Sequence, residues 1–364
     1  MARFFALLLA PIFLQAPPAP GAPPASLDAR WVTAFETPAI AAPGFDATTA
    51  YVPLKDKLVA VDLNRGTIRW QLELSTPFTP ATGDGLVFIV TDQAIEARDG
   101  ATGTTKWQTA LPGGAAAALS YDTGWLLAST PAGDLAAFRA SDGRLVWRRQ
   151  LGAPLVGAPG PALDRLFLPL ADNRLVALKL ADGTTVWELT LPQPVTSLLA
   201  LDDQLVYGTA GKQVTSVNLT RGRERWTWDI GGDIAGIPAA DDKRIYFASR
   251  DNILRAVDRG SGNLKWKANL SSRPAGGPLR LADALLMPLV SSQIVGFDPE
   301  TGKPSVSAAA VGEIGVQPYV RRDVRQTWPQ LITVTREGQL QGFGRRFEPV
   351  PQPLQELPGS PATP

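Results

Sequence analysis

Seven tryptophans, Trp31, Trp70, Trp107, Trp147, Trp187, Trp226 and Trp266, recur along this chain at steps of 39, 37, 40, 40, 39 and 40 residues. A period this regular means that one supersecondary unit has been copied many times. A single copy cannot bury its own apolar face, so the units must stack on one another before any of them is stable. Function therefore belongs to the assembled array and not to one segment.

The copies run AVDLNRGTIRW at 60–70, ARDGATGTTKW at 97–107, AFRASDGRLVW at 137–147 and ALKLADGTTVW at 177–187. They continue as SVNLTRGRERW at 216–226 and AVDRGSGNLKW at 256–266, and fade into GFDPETGKPSV at 296–306. A small residue (Ala60, Ala97, Ala137, Ala177, Ser216, Ala256, Gly296) stands six positions before a glycine (Gly66, Gly103, Gly143, Gly183, Gly222, Gly262, Gly302). That glycine stands four before the tryptophan, or before Val306. Such spacing is that of a β-hairpin: glycine tolerates the positive φ of a tight reversal, and neighbouring Asp, Asn and Ser supply turn hydrogen bonds. The small residue leaves room for the indole to dock. A buried indole removes roughly 150–250 Å² from water, an upper estimate of about 4–6 kcal/mol.

Before each hairpin lies a β-rich run, as at 86–90, 166–168, 205–207 and 245–247, and before that a stretch of Gly, Ala and Pro. Four short strands per repeat describe a propeller blade. Full units begin near Ala39, Phe78, Ala115, Leu155, Pro194, Ile234 and Pro274. Another begins near Ile314, with strands expected at about 314–320, 330–335 and 339–343, and lacks a fourth strand. At the other end, residues 30–35 carry Trp31 with no strands of their own before them. The expected fold is all-β: an eight-bladed propeller of four-stranded antiparallel blades, closed by the N-terminal strand completing the last blade. Removing residues before Arg30 should then spare the ring. The expected division is an export signal and Pro-rich linker over 1–25, one propeller over 26–346, and a Pro-rich disordered tail over 347–364.

The repeated A-x-D-x-x-x-G-x-x-x-W pattern resembles the quinoprotein-type (PQQ-like) propeller repeat, over about residues 30–345. That family holds quinone- and calcium-dependent alcohol dehydrogenases and smaller non-catalytic propellers, among them the BamB-like outer-membrane assembly group, which this chain resembles more. The resemblance implies docking roles for Ala60, Gly66 and Trp70; Ala97, Gly103 and Trp107; Ala137, Gly143 and Trp147; Ala177, Gly183 and Trp187; Ser216, Gly222 and Trp226; and Ala256, Gly262 and Trp266. Each indole is expected to stack between its own small residue and the glycine of a neighbouring motif.

Composition narrows the chemistry. The chain has no histidine and no cysteine, which excludes Ser-His-Asp and Cys-His centres, disulfides and Cys-based zinc sites. It also excludes the lipidated cysteine that BamB-like proteins often carry. Lys plus Arg is 35 and Asp plus Glu is 34, so no bulk charge attracts nucleic acid. Arg3 followed by the apolar run 4–14 has the form of an export signal, with junctions at Gly21-Ala22 or Ala25-Ser26 and an uncleaved anchor as the alternative.

The expected inner strands (39–43, 78–82, 115–119, 155–159, 194–198, 234–239, 274–279, 314–319) contain no charged residue, although a calcium-bound quinone needs oxygen ligands there. Acidic residues do recur in the turns that follow: Asp46, Asp84, Asp122, Asp164, Asp202, Asp203, Asp241, Asp242 and Asp283. Asp is a common turn residue, so these are assigned to the turns and not to a cation ring. One loop is irregular: Arg321, Arg322, Arg325 and Trp328 fall in an insertion, and Arg and Trp are enriched at interface hot spots. These are the candidate partner contacts.

No catalytic, cofactor-binding or metal residue is assigned, and no cofactor is expected. The leading expectation is an exported, monomeric, non-catalytic scaffold that binds envelope proteins, with outer-membrane protein assembly as its most specific form. It would be periplasmic and would reach a membrane only through its N-terminal segment or a partner. The alternatives are a ligand-sensing or carbohydrate-binding propeller and, opposed by the residues above, a quinone-dependent dehydrogenase. Whichever holds, Trp147→Ala should cost about 3–5 kcal/mol in urea unfolding, as large-to-small core changes do.

Overall fold

The structure, a computed structural model, describes residues 25–281, 283–321 and 331–345. Among them there are strands and turns but no helix. The strands form six four-stranded sheets and one eight-stranded sheet. The first sheet shows the pattern that the others repeat: Gly44–Phe45, Thr49–Pro53, Lys57–Asp62 and Ile68–Glu73, paired antiparallel in chain order. We number the four-stranded units along the chain, so that the seventh (279–309) and eighth (319–345) share the large sheet. This is the architecture of a β-propeller.

Burial follows strand position. The second and third strands are covered on both faces, which is why their sequences are near-continuous apolar runs such as LVFIVT at Leu86–Thr91. The outermost strands alternate, with polar residues outward and the tryptophan inward. Trp187, Trp226 and Trp266 are buried, and Trp31, Trp70, Trp107 and Trp147 half-buried.

Each indole stands across the hairpin from its small residue: Ala60 from Trp70, Ala97 from Trp107, Ala137 from Trp147, Ala177 from Trp187, Ser216 from Trp226 and Ala256 from Trp266. Its N–H then reaches forward to a carbonyl of the next unit. Trp70 donates to Gly100 at 3.0 Å, Trp107 to Ala140 at 3.0 Å, and Trp147 to Leu180 at 2.8 Å. Trp187 donates to Leu219 at 2.7 Å, Trp226 to Arg259 at 3.3 Å and Trp266 to Pro299 at 2.9 Å.

The glycine serves twice. At Gly143 φ is +71°, and a Cβ there would stand 2.4 Å from the Trp107 ring. At Gly262 φ is +73° and a Cβ would stand 2.6 Å from Trp226. A side chain is excluded both by backbone conformation and by the indole lying on the turn.

The aspartate of the motif holds that turn. Asp62 Oδ1 accepts from the N–H of Asn64 at 2.8 Å and of Arg65 at 3.0 Å. Asp258 does the same with Gly260 at 3.1 Å and Ser261 at 2.9 Å. These bonds, led by the Ser261 N–H and helped by Lys265, hold the Asp258 carboxyl at about 2.

The chain ends meet in the large sheet. The strand Ala25–Ala34 begins five residues earlier than the 30–35 expected from sequence, and Arg30 forms a bulge in its pairing. It runs antiparallel to Gln339–Arg345, the third strand of the eighth unit. Its first two residues also pair in parallel with the outermost strand of the seventh unit, Ala25 with Val306 and Ser26 with Ser307. Leu27 is buried with Val306, Leu331 and Phe343 in the cluster between those units. Val306 stands where the other copies carry a tryptophan, and the structure bridges that interface with backbone pairing and Leu27.

Trp31 docks forward like its siblings, donating to Leu63 of the first unit at 3.2 Å and lying on Gly66. Phe45 of the first unit stacks on Tyr319 of the eighth, with centroids 4.2 Å apart. Ala50, Val52 and Val61 share a core cluster with Ile332, Val334 and Leu340.

Two predictions follow from these contacts. A chain starting at Arg30 lacks Leu27 and the parallel pair, so it should unfold at lower urea than one starting at Ala25, correcting the expectation that such a truncation is silent. Equal midpoints would show that the seventh and eighth units are not joined there. Asp258 has a depressed folded pKa, so its stabilisation is present above its ordinary value of 3.8 and is lost as pH falls through about 2. Asp258→Asn should therefore lower the melting temperature at neutral pH, and the gap from the unsubstituted protein should close between about pH 4 and about pH 2.

Candidate functional site

The first strands of five units meet around a cavity of about 920 Å³, lined by Phe45, Asp46, Leu199, Ile237, Arg280 and Tyr319 among others. The first strand of the fifth unit, Val195–Ala200, lies close to the expected 194–198, but the other first strands are shorter and later than the sequence suggested. Gly44–Phe45 replaces 39–43, Ser120–Asp122 replaces 115–119, and Leu279–Arg280 replaces most of 274–279. The shift arises because the Gly, Ala and Pro residues before them turn the chain and leave only isolated bridges, such as Leu155 with Leu170 and Ile234 with Ser249. It also brings charge onto the inner strands, at Asp122 and Arg280. The Arg280 Nε is buried without a hydrogen-bond partner among the described residues.

The acidic turn residues are occupied locally. Asp46 accepts from the N–H groups of Thr48 and Thr49, both at 2.7 Å, and from the Tyr51 hydroxyl at 2.6 Å. Burial, reinforced by Asp46, pushes the Tyr51 phenol far above its ordinary value. Asp241 accepts likewise from Lys243 and Arg244 N–H and from Tyr246. Asp203 pairs with Arg225 at 3.0 Å and with Arg259 at 2.5 Å, and Asp283 pairs with Arg345. Among the described residues no group of three or more acidic side chains stands together as a metal site.

Sequence reasoning missed a second set of forward contacts. Arg165 donates to Leu219 O at 2.6 Å, Gln204 to Arg259 O at 3.0 Å, and Arg244 to Glu300 at 2.7 Å. Each of these residues opens the second strand of its unit and clasps the hairpin turn of the next. The signal was a polar residue recurring one register after the turn aspartate, and it is weak because the type varies.

Arg321 was a candidate partner contact, but it is only 6% exposed. It donates to Asn64 Oδ1 at 2.8 Å and to Ala47 O at 2.7 Å, clasping the eighth unit to the first. Burying so long a cation is sustained by those bonds, which leaves it no role on an open surface. Arg322, Arg325 and Trp328 lie outside the described residues.

A family model described as outer membrane protein assembly factor BamB matches residues 28–121, 91–207 and 171–313. The BamB of Yersinia pestis is 24% identical over 257 residues, which is 62% of this chain and 65% of that protein. The chain thus spans just under two thirds of that relative's length. The crystal structure of BamB from Moraxella catarrhalis superposes with a TM-score of 0.65 at 15% identity, covering 87% of this chain and 99% of that one. Quinohemoprotein alcohol dehydrogenase from Comamonas testosteroni superposes with a TM-score of 0.70 at 13% identity, covering 92% and 78%. At such identities the two structures share the fold alone, and fold does not carry function. The family match, running from residue 28 to residue 313, decides the assignment: the chain belongs to the outer membrane protein assembly factor BamB family of PQQ-like repeat proteins.

Proposed function

We propose that this protein is an exported, non-catalytic scaffold of the cell envelope that works in outer-membrane protein assembly by binding other envelope proteins. The observation that carries this is the family match over most of the repeat array. The residue chemistry agrees with it. The chain has no histidine or cysteine, and the turn carboxylates and clasping arginines described above are spent on holding units together. Residues 1–25 are its export signal and linker, and residues 26–346 its working domain. That domain is a monomeric eight-bladed ring, its last blade completed by the N-terminal strand. The forward docking of Trp31, the Phe45–Tyr319 stack and the Arg321 clasp support that closure. In the same reading, the six Ala/Ser–Gly–Trp sets hold consecutive blades together.

Site-specific crosslinking in envelope fractions of the source cell tests the reading. Crosslinks to components of the outer-membrane assembly machinery are expected. In parallel, the melting temperature of the purified protein should be unchanged by pyrroloquinoline quinone with calcium, since a ligand of the folded state raises it. A quinone-dependent rise, or crosslinks that never include an assembly component, overturns the proposal.

A further inference from the structure

The third unit places Trp125 and Arg139 at two facing positions that vary along the repeat. The residue opening the second strand stands directly across from the residue closing the third strand. In successive units these pairs are Thr49 with Asp62, Leu86 with Asp99, Trp125 with Arg139, Arg165 with Lys179, Gln204 with Asn218 and Arg244 with Asp258. At the first position Arg165, Gln204 and Arg244 clasp the following unit. Thr49, Leu86 and Trp125 do not, and the Trp125 indole N–H has no hydrogen-bond partner among the described residues.

The Trp125 indole packs on the core with one part and leaves its N–H unpaired. It is outside the 40-residue series, unlike the docking tryptophans, and it differs from Trp228, which donates to Gly262 O at 2.7 Å. At the second position Asp62, Asp99 and Asp258 hold the turn, whereas Arg139, Lys179 and Asn218 stand there in the third, fourth and fifth units. Asp142 takes over by accepting from the Arg144 N–H at 3.1 Å, and it also accepts from Arg139 Nε at 2.9 Å.

Trp125 and Arg139 share a cavity of about 570 Å³, lined also by Asp84, Gly124, Ser141 and Val146. That volume falls within the range of about 300–1,000 Å³ typical of small-molecule sites. One part of Trp125 packs on the core cluster that contains Leu127, Leu166 and Leu178, which fixes the ring. Asp84, Arg139 and Ser141 are exposed at the rim. The Gly124 N–H donates to the Tyr121 hydroxyl at 3.0 Å, and burial, reinforced by the nearby Asp84, pushes the Tyr121 phenol up.

We propose that this cavity binds a saccharide. A pyranose has an apolar C–H face and an equatorial rim of hydroxyls. The first matches a fixed indole, and the second needs donors and acceptors together. Arg139 supplies donors only, Asp84 acceptors only, and Ser141 both. The inference is independent of the scaffold function, since it uses no contact with an envelope protein.

The test is titration of the isotope-labelled whole protein with N-acetylchitotetraose, cellotetraose and maltotetraose to about 10 mM, enough to occupy a millimolar site. Amide and indole shifts at Gly124, Trp125, Arg139 and Ser141 with at least one sugar are expected. Trp125→Ala should weaken that binding by about tenfold or more, while Trp125→Phe, which keeps a ring, should weaken it less. Arg139→Ala, at an exposed side chain, should weaken binding with the melting temperature unchanged, so a loss of fold cannot imitate the result. The proposal is overturned by no shift with any of the three sugars, by shifts confined to the central cavity, or by affinities unmoved by both alanine substitutions. An octaproline peptide that shifts these residues where no sugar does would make the cavity a peptide site and overturn it equally.

Discussion

Everything in this fold hangs on one repeated contact, an indole laid on the glycine turn of the next unit. It combines two forces that are usually separate. The ring removes a large apolar area from water, and its N–H meets a carbonyl that would otherwise need a solvent partner. The glycine is required because the ring lies where a Cβ would be. The contact is also directional: each unit holds the one that follows, so stability passes along the chain and no unit is self-sufficient.

A directional series must deal with its ends. The third and fourth strands of the eighth unit come from opposite ends of the chain, so no hairpin turn connects them. There is accordingly no glycine turn on which a seventh-unit tryptophan could lie, and Val306 stands at that place without loss. Leu27 and the parallel pairing of Ala25 and Ser26 fill the gap. On the far side of the same unit, Trp31 resumes the series on Gly66, while Arg321 and the Phe45–Tyr319 stack add contacts to the first unit.

This economy bears on function. Most charged groups that look like sites are engaged in keeping the units in register, as turn caps at Asp46, Asp62, Asp241 and Asp258 or as clasps at Arg244, Arg259 and Arg321. Trp125 and Arg139 stand across from one another in the third unit, Trp125 packed on the core and Arg139 paired with Asp142.

The repeat, the four-strand unit, the turn glycines and the facing small residues were all legible in the sequence, because each depends on neighbours within about a dozen positions. So was the inward placement of the tryptophans, which follows from strand alternation. The docking of each indole on a neighbouring motif was implied by the resemblance, but the clasps between units were not legible, since they join residues 54 to 56 apart and no local pattern distinguishes a clasp from a solvated charge. Arg321 illustrates the limit: its sequence neighbours suggest an open loop, and only the packing of the last unit on the first buries it. The sequence by itself determined which units form and what each one must bury. The tertiary structure decided how the inner strands begin, what replaces a tryptophan at Val306, and which polar groups remain available, because those outcomes depend on surfaces that exist only once the units are assembled.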